Sequence, residues 1–229
     1  MKTAFNRFVT TAVAASLLLP AVAGAQFTTY TTLASFLAAT SNVGIDTYND
    51  PALVGVIASP LNRTTTGSIY NYVATGVAAI ADGNTSFYPA GTAADRWLAL
   101  NLATTDIAYT GFAPTVRALG GFFLGSDQFG SFLPGQSIIL TAVSAGGTQT
   151  FTLTNTTTTG FFGILASSAW TSLTVDSVQP TPAASFVAVN NFRVGQAAPV
   201  GVIPEPSTYA LMATGLIGLA GFARRRRNL

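Results

Sequence analysis

The chain of 229 residues contains no cysteine and no histidine. Because no disulfide can form, the fold must be stabilised by burial of its core alone. The two absences also exclude the usual zinc sites, a histidine general base, and nucleophiles of the Ser-His-Asp or Cys-His kind. An enzyme built on this chain would have to rely on Asp, Ser, Thr and Tyr side chains.

Charge is also scarce, since only 8% of the residues are charged. Six of the ten basic residues lie within the first seven and the last six positions of the chain. Between Gln26 and Ile203, four arginines stand against seven aspartates, a net charge of minus 3, and this segment has no lysine or glutamate. Without a basic patch the segment lacks what phosphate binding needs, so we expect no nucleic-acid partner.

Residues 1–25 have the order of a secretory signal peptide. The basic residues Lys2 and Arg7 precede an apolar run of twelve residues, and the small residues Ala23 and Ala25 then form an Ala-x-Ala site. This order predicts export, with cleavage directly after Ala25. A buried N-terminal helix is the alternative, but it would need neither the basic start nor the cleavage site.

The C-terminal segment, residues 204–229, combines a short motif, an apolar span and a basic end in that order. Its parts are the tripeptide Pro204, Glu205 and Pro206, the apolar residues 207–223, and the basic residues Arg224, Arg225, Arg226 and Arg227. Seventeen helical residues span roughly 25 Å, close to a hydrocarbon core of about 30 Å. The pattern predicts a transmembrane helix whose arginines stay in the cytoplasm. An ordinary anchor would not need the Pro-Glu-Pro.

The C-terminal order resembles the PEP-CTERM sorting signal of Gram-negative bacteria over residues 203–229. In that family an exosortase, a protease of the inner membrane, is thought to cut near the Pro-Glu-Pro. The resemblance implies an exosortase as partner, a transient stay in the inner membrane, and release to the cell surface or the exopolysaccharide matrix. It implies nothing about what the exported domain binds.

Between the two signals, the sequence predicts a single all-β domain over residues 26–195, followed by a linker over residues 196–203. Apolar residues at helical spacing after Thr32 predict a short N-terminal helix that ends near Asn42 and Gly44. Apolar or alternating runs then predict strands, and Gly-rich residues between two of these runs predict a hairpin. The predicted strands are residues 97–102, 137–144, 149–154, 173–178 and 186–194.

Short strands separated by Gly, Pro, Asn and Asp favour a β-sandwich. The chain also resembles, loosely, the jelly-roll ectodomain common among proteins with this tail, in which a Phe-Phe-Gly turn and an Asn-Asn-Phe closing strand are typical. The segments concerned are Ala118–Phe122, Thr159–Gly163, Leu173–Val175 and Val189–Gly195. The resemblance implies a jelly-roll topology rather than an immunoglobulin-like one.

Asp46 and Asp50 are the first candidates for chemistry, because they lie four residues apart around Asn49. Their oxygens could supply part of a calcium site, which needs six to eight oxygen ligands. Two carboxylates could also serve glycoside hydrolysis if their separation were suitable. A third interpretation is a solvated turn whose side chains bond the nearby backbone before Pro51.

Aromatic side chains are the second group of candidates, since sugar rings pack against aromatic faces. Trp170 follows two serines in a turn-like stretch, and Tyr70 and Tyr72 would share one face of a strand. These three rings are the candidates for glycan stacking, and packing within the fold is the alternative for each of them. Trp97, within an apolar run, is expected in the core.

Together these patterns predict an exported, non-catalytic protein of the cell surface or exopolysaccharide matrix that binds glycan or surface proteins. No cofactor is expected, and a calcium ion at Asp46 and Asp50 is the alternative. The alternative is a secreted polysaccharide hydrolase that uses Asp carboxylates. Two Asp side chains meeting in one cleft would favour that alternative.

Overall fold

The computed structural model describes residues 26–78, 85–179 and 184–199, together with Leu216. These residues form one short helix, α1 (Leu33–Ala38), and fifteen strands. The strands are β1 (Phe27–Tyr30), β2 (Thr40–Asp46), β3 (Ile57–Ala58), β4 (Leu61–Thr64), β5 (Thr66–Gly67), β6 (Asn71–Ala78), β7 (Ser86–Gly91), β8 (Arg96–Leu100), β9 (Thr105–Thr110), β10 (Ala118–Ser126), β11 (Ile138–Ser144), β12 (Gly147–Leu153), β13 (Phe161–Ala166), β14 (Trp170–Ser177) and β15 (Phe186–Ala197).

The strands form two antiparallel sheets that pack face to face. The nine-stranded sheet has the order β1-β13-β10-β15-β8-β7-β3, with β2 and β5 joined alongside β15. The six-stranded sheet has the order β12-β11-β14-β9-β6-β4. The predicted all-β sandwich with a short N-terminal helix is therefore confirmed, while the jelly-roll topology stays a prediction.

The main core fills the space between the sheets because most strands alternate buried and exposed side chains. On β11, for example, Ile138, Leu140 and Ala142 are buried, and the residues between them lie on the outer face. β8 and β10 are buried on both faces, since further apolar clusters cover the outside of the nine-stranded sheet. Residues 97–100 of the predicted strand 97–102 lie in β8 and fit this double burial.

The predicted helix forms, but it is shorter than expected. Thr32 caps it by accepting a hydrogen bond from the Ser35 backbone N–H at 3.2 Å. The helix ends at Ala38 rather than near Asn42 and Gly44, which belong to β2. The correction has a physical reason: β2 pairs with β15 at five of its seven residues, and this outweighs one more helical turn.

The jelly-roll resemblance implies a turn at the Phe-Phe-Gly segment. In the structure this segment is instead the start of β13. Phe36 of α1 is fully buried against this strand, its ring centroid 5.3 Å from that of Phe161. A Cβ on Gly163 would collide with the Phe36 ring. Glycine is therefore needed here because α1 lies directly on the strand.

The predicted hairpin is confirmed, with a two-residue turn between β11 and β12 that pairs Ser144 with Gly147. The last strand is longer than predicted, because β15 continues to Ala197 and Gln196 pairs with Ser41. The first two residues of the predicted linker 196–203 thus belong to the sandwich.

The two ends of the sandwich lie close together. The backbone O of Gln26 accepts a hydrogen bond from Ser167 N–H, and the backbone O of Gly195 accepts one from Arg117 N–H. Arg117 and Ser167 are themselves neighbours, because the Arg117 carbonyl accepts a bond from Ala166 N–H at 2.7 Å. Gln26 and Gly195, near the first and last residues of the sandwich, therefore lie at the same end of the domain.

The predicted signal peptide, its Ala23 and Ala25 site, the Pro-Glu-Pro motif, the apolar span and the four arginines lie outside the described residues. Within the residues that the structure describes, no helix has both the length and the apolar character needed to cross a membrane.

Candidate functional site

Asp46 and Asp50 are brought together by a tight turn after β2. The Tyr48 backbone N–H donates to Asp46 Oδ1 at 3.0 Å, with Tyr48 itself at φ 57°. The Ala52 backbone N–H donates to Asp50 Oδ1 at 2.9 Å. Both carboxylates thus bond the nearby backbone, as the solvated-turn interpretation requires, although Asp46 is buried.

Arg63 of β4 lies between the two carboxylates. Its Nε and Nη2 each donate to Asp46 at 2.8 Å, and its Nη1 donates to Asp50 Oδ2 at 3.3 Å. Burial by itself would lower the pKa of the Arg63 guanidinium, but the hydrogen bond and the charge of Asp46 raise it above its ordinary value. Such a bidentate pair is among the stronger charge-assisted contacts.

This geometry supports the turn interpretation of Asp46 and Asp50 over the calcium interpretation. The guanidinium of Arg63 bonds both carboxylates and supplies a compensating charge. In the described ranges, no group of three or more Asp or Glu side chains is arranged to hold a metal ion. The spacing of two Asp residues could not reveal this, because the arginine comes from another strand.

Three buried tyrosines continue the network beneath Asp46. The Tyr72 hydroxyl donates to Asp46 Oδ2 at 2.8 Å and lies 3.1 Å from the Tyr48 hydroxyl, which lies 3.3 Å from the Tyr109 hydroxyl. Burial, together with neighbouring phenols and carboxylate, raises the pKa of all three phenols well above the ordinary value of 10.0. All three phenols stay neutral, and the Tyr72 hydroxyl orients the Asp46 carboxylate from the core side.

Above this network lies an open polar groove of about 560 Å³ on one lateral edge of the sandwich. Most side chains that line it carry an amide, a hydroxyl or a carboxylate. Its charged side chains, Arg63 and the two aspartates, pair with one another. The lining residues are Ile45, Asp46, Thr47, Asn49, Asp50, Pro51, Asn62, Arg63, Thr64 and Thr66. Asn62 makes no side-chain hydrogen bond with the described part of the chain, so its amide is available to a ligand.

The rings predicted for glycan stacking are buried, which corrects that prediction. Trp170 is 5% exposed, Tyr70 8% and Tyr72 2%. The Trp170 indole Nε1 donates to the Arg117 carbonyl at 2.8 Å, and the Tyr70 hydroxyl donates to the Asn42 carbonyl at 2.7 Å. Each ring thus packs in the core while its polar atom bonds backbone. Trp97 is buried, as expected.

A second pair of carboxylates, which the sequence did not single out, lies on the outer face of the six-stranded sheet. Asp106 of β9 and Asp176 of β14 are neighbours because Ile107 pairs with Val175. Burial, followed by the charge of Asp176 and a hydrogen bond to it, raises the pKa of Asp106 to about 7. The only available signal was that two isolated Asp residues each follow a β-branched, strand-like position.

Comparison with known proteins identifies the tail but not the sandwich. The PEP-CTERM protein-sorting motif matches residues 202–227, which follow the last strand in sequence. A search of curated proteins finds no match to the chain. The chain therefore carries a PEP-CTERM sorting motif, which implies export and sorting by an exosortase through a membrane-anchored intermediate.

Proposed function

We propose that the sandwich is a non-catalytic glycan-binding module that works at the cell surface or in the exopolysaccharide matrix. The observation that carries this proposal is the polar groove above Asp46. Its volume of about 560 Å³ falls in the range of small-molecule sites. Its lining offers donors and acceptors suited to sugar hydroxyls.

The groove is also held rigidly, which lowers the cost of binding. Arg63 is fixed by Asp46 and Asp50, and the phenol of Tyr72 anchors Asp46 from the core. The hydrogen bond from the Ala52 N–H, and then Arg63, lower the pKa of the half-exposed Asp50 carboxyl. Asp50 is therefore ionised at neutral pH and can accept hydrogen bonds from a ligand. The net charge of minus 3 in the exported segment favours neutral over strongly acidic polymers.

We expect the exported protein to bind neutral exopolysaccharide weakly, with a dissociation constant on the order of micromolar to millimolar. Asn62→Ala should weaken binding about tenfold, since it removes one amide contact at the groove. Thr171→Ala, at an exposed position on β14, is the matched control and should leave affinity unchanged. Calorimetry on a panel of neutral and acidic polysaccharides measures both.

A chelator is the further arm of this test. A chelator should leave binding unchanged, because Arg63 already compensates Asp46 and Asp50. Equal affinity for the Asn62→Ala and native proteins, or no binding to any polysaccharide, would reject the groove as a glycan site and leave a structural or protein-binding role at the surface.

A secreted hydrolase is the second candidate, and the Asp106–Asp176 pair favours it. A carboxyl that holds its proton near neutral pH beside a second carboxylate has the properties of a general acid. A reducing-end assay on the same polysaccharides separates the two proposals. Activity that disappears in Asp106→Asn would replace the binding module by the hydrolase.

Export should remove both ends of the chain. We expect intact-mass analysis of the surface protein from an exosortase-positive host to show a start at Gln26 and loss of the apolar span and its arginines. In a host without exosortase the C-terminal part should remain. A surface form that still carries Arg224 to Arg227 would make the tail a simple anchor.

A further inference from the structure

The edge strand β12 differs from the other edges of the two sheets. It has seven residues, pairs with β11 along its whole length without a bulge, and contains neither charge nor proline. Among the described residues it has no strand on its other side. Natural proteins normally protect such an edge with charges, proline, bulges or short length.

The remaining edges are protected in these ways. β1 and β4 have four residues each, and β3 has two. β4 also carries Arg63 with its two ion pairs. The fold thus protects its other edge strands against pairing with another chain but leaves β12 unprotected. This contrast indicates that β12 pairs with another strand.

The free backbone groups of β12 belong to its three threonines. In a hairpin with a two-residue turn, the residues flanking the turn exchange both hydrogen bonds, and the pattern then alternates. Ser144 and Gly147 flank the turn here. Thr148, Thr150 and Thr152 therefore direct their N–H and C=O groups away from β11.

We propose that two copies of this protein associate by antiparallel pairing of their β12 strands about a two-fold axis at Thr150. Thr150 then faces Thr150 of the second copy, and Thr148 faces Thr152. The pairing supplies about six backbone hydrogen bonds. The two six-stranded sheets become one continuous sheet across the dimer.

The strand is self-complementary, which favours a second copy over another partner. The hydrogen-bonded pairs across the axis are all Thr with Thr, a favourable cross-strand pair. Between them Gln149 faces Phe151, and no charge on β12 repels its copy. The inner side of the edge adds apolar contact: Phe151 and Leu153 are only partly buried, and a groove of about 430 Å³ beside them is lined by Phe161 and Phe162.

The dimer also has a geometric consequence. β12 and β4 are opposite edges of the six-stranded sheet, and the polar groove is lined by β4. Pairing through β12 therefore places the two grooves at the far ends of the joined sheet. Such a dimer could engage two polysaccharide segments at once, although the pairing itself does not depend on glycan binding.

Sedimentation of the exported protein over the micromolar range tests the proposal. We expect a reversible monomer–dimer equilibrium. Thr150→Lys should raise the dimer dissociation constant about a hundredfold or more, because two lysines meet at the axis. Thr174→Lys is the matched control: it lies in the same cross-strand row through Thr141 but two strands from the edge, and it should dimerise normally.

Charge exchange distinguishes self-pairing from capture of a different partner. Thr150→Lys and Thr150→Glu should each be monomeric, and an equimolar mixture should form a heterodimer that high salt weakens. Thr150→Pro, which removes a free N–H without touching the β11 ladder, should also be monomeric. A monomer at all concentrations, or a dimer that survives all three substitutions, would overturn the proposal.

Discussion

Replacing Arg63 by methionine is expected to lower the free energy of unfolding by about 3–5 kcal/mol. Asp46, whose side chain is only 3% exposed, would then be a buried carboxylate without its charge partner. Chemical denaturation at pH 7 measures the loss. The Tyr72 hydroxyl and the Tyr48 backbone N–H would still bond Asp46, but neither supplies a positive charge.

Two controls show whether the effect comes from the buried pair. Asp50→Asn should cost less than about 1 kcal/mol, because the Asp50 side chain is 43% exposed and its pair with Arg63 is screened by solvent. Adding Asp46→Asn to Arg63→Met should recover part of the stability, since no buried charge is then left unpaired. Equal costs for Arg63→Met and Asp50→Asn would contradict a buried ion pair.

Asp106→Asn is expected to stabilise the protein above pH 7 and to remove a pH dependence. The Asp106 carboxyl has a pKa of about 7 in the folded state against an ordinary value of 3.8. The folded state therefore holds this proton more tightly than the unfolded chain. The stabilisation is complete below about pH 4 and is lost as the pH rises to about 7.

The expected loss at pH 8 is about 1–2 kcal/mol, once solvent screening of this partly exposed pair is discounted. Denaturation of the native protein and the Asp106→Asn variant between pH 4 and 8 measures it. Asp50→Asn is the opposite control: the Asp50 pKa is lowered, first by the Ala52 N–H, so its contribution is lost as the pH falls. If the free energies of unfolding of the native and Asp106→Asn proteins changed in parallel with pH, the raised pKa of Asp106 beside Asp176 would be contradicted.

Local patterns were sufficient where one segment carries the whole signal. The tail needs only its own order of motif, apolar span and arginines, and the β11–β12 hairpin needs only two alternating runs around Gly146. Thr32 could be placed at a helix start for the same reason. In each case the contacts that determine the structure are made between residues close in sequence. A local sequence pattern is therefore enough to predict it.

The aromatic predictions show the limit of local patterns. Exposure of Trp170, Tyr70 and Tyr72 depends on which face of each strand packs against the opposite sheet, and that is decided by pairing over long separations. Trp170 lies under Arg117, and Tyr70 reaches the backbone of Asn42. A turn-like neighbourhood in sequence says nothing about such contacts.

The sequence by itself determined the sorting motif that implies export, the all-β class and the chemistries that a chain without Cys and His cannot perform. Only the tertiary structure decided that Arg63 bonds both Asp46 and Asp50, and that Asp106 meets Asp176. These are pairs between strands distant in sequence. Their charges interact strongly only once folding brings them within a few ångströms and removes the water between them.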